Sequence, residues 1–341
     1  MKEFNIKSLV RKNILDLQPY ISFRDQNEFE NPVFMDANES PFGEYNRYPD
    51  STQKELKNKL AELKNVLPQK IAVGNGSDEL IDLIIKIFCE PKKDSVMMMN
   101  PSFAMYKFYA SINENKVIAL DLDNNFQINK DVFLKISEQE KPKIFFLCSP
   151  NNPTGNSIQD IEFYIKNFDG IVVVDEAYIE FSEQKSCIEL LEKYPNLIVL
   201  QTFSKAWGMA GARVGIAYSS DEIISLINTV KAPYNVNSLS LSKIMQLINY
   251  KNIIEENIKN TLSEISRLKN ELLNVECVKR VFPTDANFFL IEFNNAEKVY
   301  QELLENEILT SKRSPQIPDC IRINVGKRDE NNKLINVLKS I

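Results

Sequence analysis

Seven short apolar runs recur between residues 70 and 220, each set off by a helical or polar stretch, and this alternation most narrowly limits the fold. The runs are Ile71-Ala-Val, Ser95-Val-Met-Met-Met, Val117-Ile-Ala-Leu, Ile144-Phe-Phe-Leu-Cys, Ile171-Val-Val-Val, Leu197-Ile-Val-Leu and Val214-Gly-Ile-Ala-Tyr. They are hydrophobic nearly throughout instead of every second residue, the pattern of strands covered on both faces in a mostly parallel sheet. In the intervening segment Ser77–Phe88, residues Leu80, Ile81, Ile84, Ile85 and Phe88 form one apolar stripe at helical spacing. The alternation predicts an α/β domain, its sheet sandwiched by helices.

The pattern changes after Val236. Leu239–Asn274 is charged and helical in period, followed by strand-like Val278–Phe282 and Asn287–Glu292, a helix over Ala296–Glu305, a strand over Cys320–Val325 and a closing helix over Glu330–Ser340. This predicts a smaller α+β domain, and 341 residues suffice for two domains. The expected division is an arm over 1–40 packing with the small domain, a large domain over 41–235 and a small one over 236–341.

Composition removes whole classes of chemistry. The chain has no histidine, which excludes Ser-His-Asp and Cys-His nucleophile systems and histidine metal sites. A proton carrier near neutral pH must then be a lysine, carboxylate, tyrosine or cysteine. The net charge of -6 argues against a nucleic-acid partner. Five cysteines stand far apart with no CxxC pair, as expected of reduced thiols rather than a disulfide or zinc framework. The first residues are too polar for a signal-peptide core, and no run of about 18 apolar residues could span a bilayer. The expectation is a cytoplasmic protein without a membrane, metal or nucleic-acid partner.

Ligands of open α/β sheets bind beyond the carboxyl ends of the strands, so the residue after each run locates the site. Ile144–Cys148 leads into Ser149-Pro-Asn-Asn-Pro-Thr-Gly155, and Ile171–Val174 into Asp175-Glu-Ala-Tyr178. Leu197–Gln201 leads into Thr202-Phe-Ser-Lys205-Ala-Trp-Gly, and Ile71–Val73 into Gly74-Asn-Gly76-Ser77-Asp78 and a helix. Asp175, taken alone, reads more readily as a turn cap; its functional reading is a carboxylate that keeps a pyridine nitrogen protonated. Lys205, taken alone, reads as a solvated lysine. Small and apolar neighbours favour instead an imine-forming amine that serves as proton shuttle once released. The first free N–H groups of the helix after Gly76 make an anion site, compatible with Ser77 as an ordinary cap, while the role of the Asp78 side chain stays open. Arg213 and Ser204 could reach the same anion.

Together these motifs resemble the fold-type I aminotransferases that use pyridoxal phosphate, and among them the histidinol-phosphate aminotransferase family. Further matching segments are Gln18-Pro-Tyr20, Met35-Asp-Ala-Asn-Glu-Ser-Pro41, Asn46-Arg-Tyr-Pro49, Ala232-Pro-Tyr234, Asp285-Ala-Asn287 and Ile321-Arg-Ile-Asn-Val-Gly326. The resemblance implies that Lys205 carries the cofactor as a Schiff base, Asp175 partners its pyridinium, and Tyr178 and Asn152 bond its ring oxygen. It implies Gly76, Ser77, Asp78, Thr202, Ser204 and Arg213 around the phosphate and Phe103 stacked on the ring. Tyr48 would reach the neighbouring subunit's cofactor in a homodimer, while Tyr20, Asn152 and Arg322 would meet the substrate. The implied reaction, a step of histidine biosynthesis, exchanges an amino group between histidinol phosphate and 2-oxoglutarate, with imidazole acetol phosphate and glutamate as products.

Two segments depart from the family. Asn100-Pro-Ser-Phe-Ala-Met-Tyr106 stands where the family has a PPTYGMY-like stretch, so Phe103 lacks a hydroxyl. Thr310-Ser-Lys-Arg-Ser-Pro315 is less basic than its counterparts. Both border the implied substrate, which keeps two other phosphorylated substrates in play: dihydroxyacetone phosphate giving serinol phosphate, and a phospho-amino acid undergoing decarboxylation. A domain that binds the cofactor only to regulate or scaffold is a rival of another class, disfavoured because Lys205, Asp175, Tyr178 and Arg213 are all present.

Overall fold

The computed structural model describes residues 4–24, 26–27 and 31–341. The arm expected over 1–40 therefore falls partly outside the described residues, at 1–3, 25 and 28–30.

The apolar runs form one seven-stranded sheet. Its strands are β1 (Ile71–Asn75), β2 (Ser95–Asn100), β3 (Lys116–Asp121), β4 (Ile144–Cys148), β5 (Ile171–Asp175), β6 (Leu197–Thr202) and β7 (Val214–Ser219), in the order β1-β7-β6-β5-β4-β2-β3. Neighbours from β3 to β6 run parallel, and every residue of β4, β5 and β6 is buried. β7 lies antiparallel between β1 and β6.

Helices α1 (Lys12–Leu15), α2 (Lys54–Lys64), α3 (Gly76–Phe88), α4 (Met105–Ile112), α5 (Lys130–Glu140), α6 (Ile161–Lys166) and α7 (Asp221–Val230) accompany this sheet. The stripe predicted on α3 is there, with Leu80, Ile81, Ile84, Ile85 and Phe88 fully buried. At roughly 1.5–3 kcal/mol for each fully buried large apolar side chain, that stripe anchors α3 firmly on the sheet.

The chain continues through α8 (Ser238–Ile248) and α9 (Lys251–Leu272) to a four-stranded antiparallel sheet. That sheet contains β8 (Val278–Val281), β9 (Phe288–Phe293), β10 (Ser311–Lys312) and β11 (Cys320–Asn324), in the order β10-β11-β9-β8. Helices α10 (Ala296–Glu305) and α11 (Arg328–Lys339) complete it. Leu268, Leu272, Phe289, Ile291, Leu303, Ile321 and Ile335 share its core.

Three expectations change. The long helical stretch 239–274 is two helices, because the chain turns at Asn249–Tyr250, where the Tyr250 N–H bonds the Leu247 carbonyl and closes α8. Helical spacing on both sides hides that turn from periodicity. The start of the arm packs on the large sheet's layer instead of the expected small domain: among the described residues Ile6, Val10 and Ile14 join the large core, and Arg11 bonds the Lys86 carbonyl and Glu90. Finally, Val236 and Ile244 also belong to the large core, so the two cores separate later than residue 236.

Candidate active site

The antiparallel placement of β7 builds the site. The carboxyl ends of β1, β4, β5 and β6 share one edge of the sheet, and β7 starts at that edge, Val214 opposite Asn75 and Gly215 opposite Thr202. Arg213, just before β7, is therefore delivered to the polar strand ends. Ser77, Asp78, Phe103, Cys148, Asn152, Asp175, Tyr178, Thr202, Ser204, Lys205 and Arg213 line a single cavity there.

Asp175 ends β5 fully enclosed. Its Oδ2 accepts a 2.6 Å hydrogen bond from the Tyr106 hydroxyl and its Oδ1 accepts one from the Ala177 N–H at 3.1 Å. Burial pushes the carboxyl above its ordinary range, while the Tyr106 bond, the Ala177 N–H and the Lys205 charge oppose the rise. Tyr106 is itself buried, stacked on Phe146 at 4.6 Å and edge-on to Phe103 at 5.5 Å. Burial and the adjacent carboxylate drive the Tyr106 phenol well up, so it remains a proton donor.

Lys205 sits in a turn closed by the Gly208 N–H to the Lys205 carbonyl and the Met209 N–H to the Phe203 carbonyl. Its Nζ lies 5.4 Å from the Tyr178 ring centre, and the residue keeps an exposed side. Partial burial lowers its ammonium below the ordinary lysine value; Arg322 and Arg213 add to the drop, against Asp175 and Asp78. An amine held beside two guanidinium groups is closer to the neutral form that nucleophilic or proton-abstracting work requires.

The opposite corner is cationic and rich in donors. Arg213 adopts a left-handed backbone (φ 53°), and its Nη2 lies 3.2 Å from Asp78 Oδ2. The Thr202 hydroxyl donates to Ser204 Oγ at 2.9 Å and accepts from the Ser204 N–H at 3.1 Å. Gly76 is needed twice over: its φ is +77°, and a Cβ there would lie 2.5 Å from Arg213 Nη2. A Cβ on Gly215 would likewise strike the Ser77 N at 2.3 Å, so this glycine lets β7 approach the start of α3. Asp78 Oδ1 is buried with no partner among the described residues. The set suits a flat group with an anion at the Arg213 corner and a protonatable nitrogen at Asp175.

The small sheet closes one side. Arg322 on β11 bonds Asn152 Oδ1 and lies 5.3 Å over the Phe288 ring, which meets Tyr178 edge-on at 5.2 Å. The 149–157 loop is tied to the same region: the Ser157 N–H donates to Asp285 Oδ2 at 2.9 Å and the Asp285 N–H to the Gly155 carbonyl at 2.8 Å. Glu176 turns away, accepting from Ser186 Oγ, the Cys187 N–H and Gln201 Nε2.

Two expected residues lie elsewhere. Tyr48 stacks on Tyr234 at 4.6 Å and Tyr20 meets Tyr234 edge-on at 6.3 Å, both outside this cavity in the single chain. They border cavities beside the arm, and Tyr48 helps line one of about 840 Å³ that holds none of the strand-end groups. Sequence reasoning missed Tyr106, 69 positions before its aspartate. It also missed Arg313, which follows β10 with its backbone N–H on the Cys320 carbonyl, placing it diagonal to Arg322 on one sheet face. Both arginines have a buried Nε with no partner among the described residues, and burial followed by the Arg322 charge lowers Arg313. The basic residues of 310–315 were visible in sequence, but not which of them faces Arg322.

The profile of the class I and II aminotransferases matches residues 21–338. A histidinol-phosphate aminotransferase from Christiangramia forsetii is 45% identical over 350 aligned positions, covering 100% of this chain and 99% of the relative. The crystal structure of the histidinol-phosphate aminotransferase from Clostridium acetobutylicum superposes with a TM-score of 0.79 at 25% identity, over 87% of this chain and 90% of that one. A Sinorhizobium meliloti structure of the same name, in complex with pyridoxal-5'-phosphate, has a TM-score of 0.80 at 20% identity, over 86% and 82% of the two chains, a likeness of fold.

Proposed function

The chain belongs to the class I and II aminotransferases, enzymes dependent on pyridoxal phosphate, and from that premise we propose that it exchanges an amino group between histidinol phosphate and 2-oxoglutarate. The observation that carries the substrate is the 45% identity to a histidinol-phosphate aminotransferase across essentially the whole of both chains. The fit of the cofactor rests on the cavity itself: Gly76 without a Cβ against Arg213, hydroxyl donors at the same corner, and the buried carboxylate facing Lys205.

Bound pyridoxal phosphate supplies a carbonyl that takes up the amino group and a conjugated ring that delocalises the electron pair left on the substrate carbon. On our reading Asp175 holds a proton at the ring nitrogen, with Tyr106 keeping the carboxylate aimed and ionised. Tyr178 and Asn152 bond the ring oxygen, Phe103 covers a ring face, and Ser77, Thr202, Ser204 and Arg213 hold the phosphate, with Gly76 and Asp78 shaping that corner. Lys205 moves a proton between the substrate carbon and the cofactor's C4′. Arg322 takes a substrate carboxylate or phosphate in a two-pronged contact, whereas Tyr20, which borders a different cavity in the single chain, would meet a substrate only across a dimer.

The proposal includes a homodimer in which Tyr48 completes the partner's site. Its support is the apolar segment beside Tyr48, where Val33 (85%), Met35 (90%) and Phe42 (84%) are exposed in the single chain. A cytoplasmic location accords with five unpaired cysteines, and among the described residues no helix is long and apolar enough to cross a membrane. Division of labour between a large cofactor-holding unit and a smaller, substrate-facing C-terminal unit, parting later than residue 236, belongs to the same reading.

The test is a titration of the holoenzyme with glutamate, then with histidinol phosphate, serinol phosphate and phosphothreonine, following the cofactor spectrum, product and carbon dioxide. Conversion of histidinol phosphate at the highest kcat/KM is expected. Preference for serinol phosphate, or release of carbon dioxide, would replace this substrate assignment; no response to glutamate would remove the aminotransferase activity.

A further inference from the structure

Away from the catalytic cavity, the start of α2 and the end of α7 enclose a second cavity of about 210 Å³, lined by Tyr20, Ser51, Thr52, Lys57, Asn228 and Lys231 among others. It shares no lining residue with the catalytic one. Two ammonium groups face it, and among the described residues no carboxylate lines it.

Lys231 is only 8% exposed, yet the single hydrogen-bond partner of its ammonium among the described residues is a neutral one, Gln53 Oε1 at 2.7 Å. The Gln53 amide is fixed in that orientation, since its Nε2 donates to the Asp50 and Ser51 carbonyls. Lys57 is partly buried, and its ammonium makes no hydrogen bond or ion pair among the described residues. The carboxylates acting on these lysines are occupied elsewhere. Asp50 accepts from the Thr52 N–H and hydroxyl and from the Lys54 N–H. Glu79 accepts from the Asn75 N–H and Asn235 Nδ2. Burial, with the Lys57 charge next and Glu79 and Asp50 opposing, lowers Lys231 to about 7. A buried lysine without a counter-ion is costly, and a bound anion would relieve that cost.

The third feature is an acceptor. Asn228 also lines the cavity, and its Oδ1 is buried with no partner among the described residues, so the site combines cations with one acceptor that lacks a donor. Inorganic phosphate answers both needs near neutral pH, because each of its anions there carries negative charge and retains a P–OH proton; a monoester, whose second proton leaves at about pH 6, does so only as its monoanion, and sulfate carries the charge alone.

We propose that this cavity binds a phosphate-class anion, gripped by the Lys57 and Lys231 ammonium groups, with its P–OH donating to Asn228 Oδ1. The anion lies under Tyr20, whose ring touches Tyr234 at 6.3 Å, and Tyr234 stacks on Tyr48. Occupancy therefore braces the segment that carries these tyrosines, which makes the cavity a regulatory site and not a second catalytic one.

The test is to soak holoenzyme crystals with arsenate, a phosphate analogue with anomalous scattering, and to titrate wild type and Lys57→Met in solution with inorganic phosphate, glycerol phosphate and sulfate. Expected are an arsenic peak between the two Nζ atoms and its absence in Lys57→Met. In solution, phosphate binding weakens at least about tenfold in that variant, as loss of one charge-assisted contact predicts. Lys57→Met should keep its kcat/KM in phosphate-free buffer, and Lys231→Met should show the same binding loss if it folds. Stronger binding of inorganic phosphate identifies the free ion as occupant, and stronger binding of glycerol phosphate identifies an ester; either upholds the site. Arsenic confined to the catalytic cavity, identical isotherms for wild type and Lys57→Met, or sulfate binding as well as phosphate would overturn the proposal.

Discussion

Replacing Tyr106 with phenylalanine tests the inner workings of the catalytic cavity with the least disturbance. The ring keeps its 4.6 Å stack on Phe146 and its edge contact with Phe103, and only the hydroxyl bonded to Asp175 Oδ2 at 2.6 Å is lost. Asp175 Oδ1 retains the Ala177 N–H. A buried hydrogen bond to a carboxylate contributes about 2 kcal/mol, which corresponds to roughly thirtyfold in rate if the ionised carboxylate is needed throughout the reaction. We expect kcat/KM to fall by roughly that factor, with KM for the phosphorylated substrate changing far less.

The direction with pH follows from the same bond. Burial raises Asp175, and the Tyr106 bond holds that rise back; removing it lets the carboxyl climb further. Activity that needs the ionised form fades as pH falls through the raised value, so the acid limb of the variant should begin at higher pH than that of wild type. A carboxyl raised on folding costs stability above its folded value, and the cost vanishes below the ordinary carboxylate range. The stability deficit of Tyr106→Phe should accordingly shrink toward acid pH. Steady-state kinetics across pH, with urea unfolding alongside, measure both effects. A folded Tyr106→Phe enzyme with a superimposable pH profile and a rate within about twofold of wild type would refute the assigned role.

Lys205→Ala should lower turnover by at least about a thousandfold, the scale of positioned proton transfer, and mixing it with Tyr48→Ala subunits should restore measurable turnover if sites are shared across a dimer. Gly76→Ala forces a Cβ to within 2.5 Å of Arg213 Nη2; cofactor affinity, read by equilibrium dialysis, should fall by roughly ten- to a hundredfold through loss of that guanidinium's contact. Lys231 offers a test of linkage. Its folded value of about 7 lies below the ordinary 10.5, so between these the unfolded chain holds a proton that the folded chain lacks. Stability should rise with pH across that window by at most about 1.4 kcal/mol per unit. Urea unfolding in phosphate-free buffer should show this contribution in wild type and its loss in Lys231→Met.

Strand-end chemistry was legible because it is local. Three or four buried apolar residues running into a polar segment mark both the strand and the edge where ligands sit, which located Asp175, Thr202, Lys205 and the 74–78 segment relative to the sheet. The helix stripe on α3 and the small antiparallel sheet were legible for the same reason. Periodicity did not reveal the turn at Asn249–Tyr250, because both flanking helices keep the same spacing.

Relations between distant segments were decided by tertiary structure alone. An apolar run is the same in either strand direction, yet only the antiparallel insertion of β7 brings Arg213 to the other strand ends. The Tyr106–Asp175 bond joins residues 69 positions apart, and Ile6, Val10 and Ile14 of the arm join the large core, more than 50 positions before its first strand. Lys57 and Lys231 look like ordinary lysines in sequence and become a cationic cavity only when the ends of two helices meet. By itself the sequence determined which side chains are available and on which strand or helix each sits, since those depend on neighbours in the chain. Their pairing, burial and charge depend on contacts across the fold, and for those the packed structure was required.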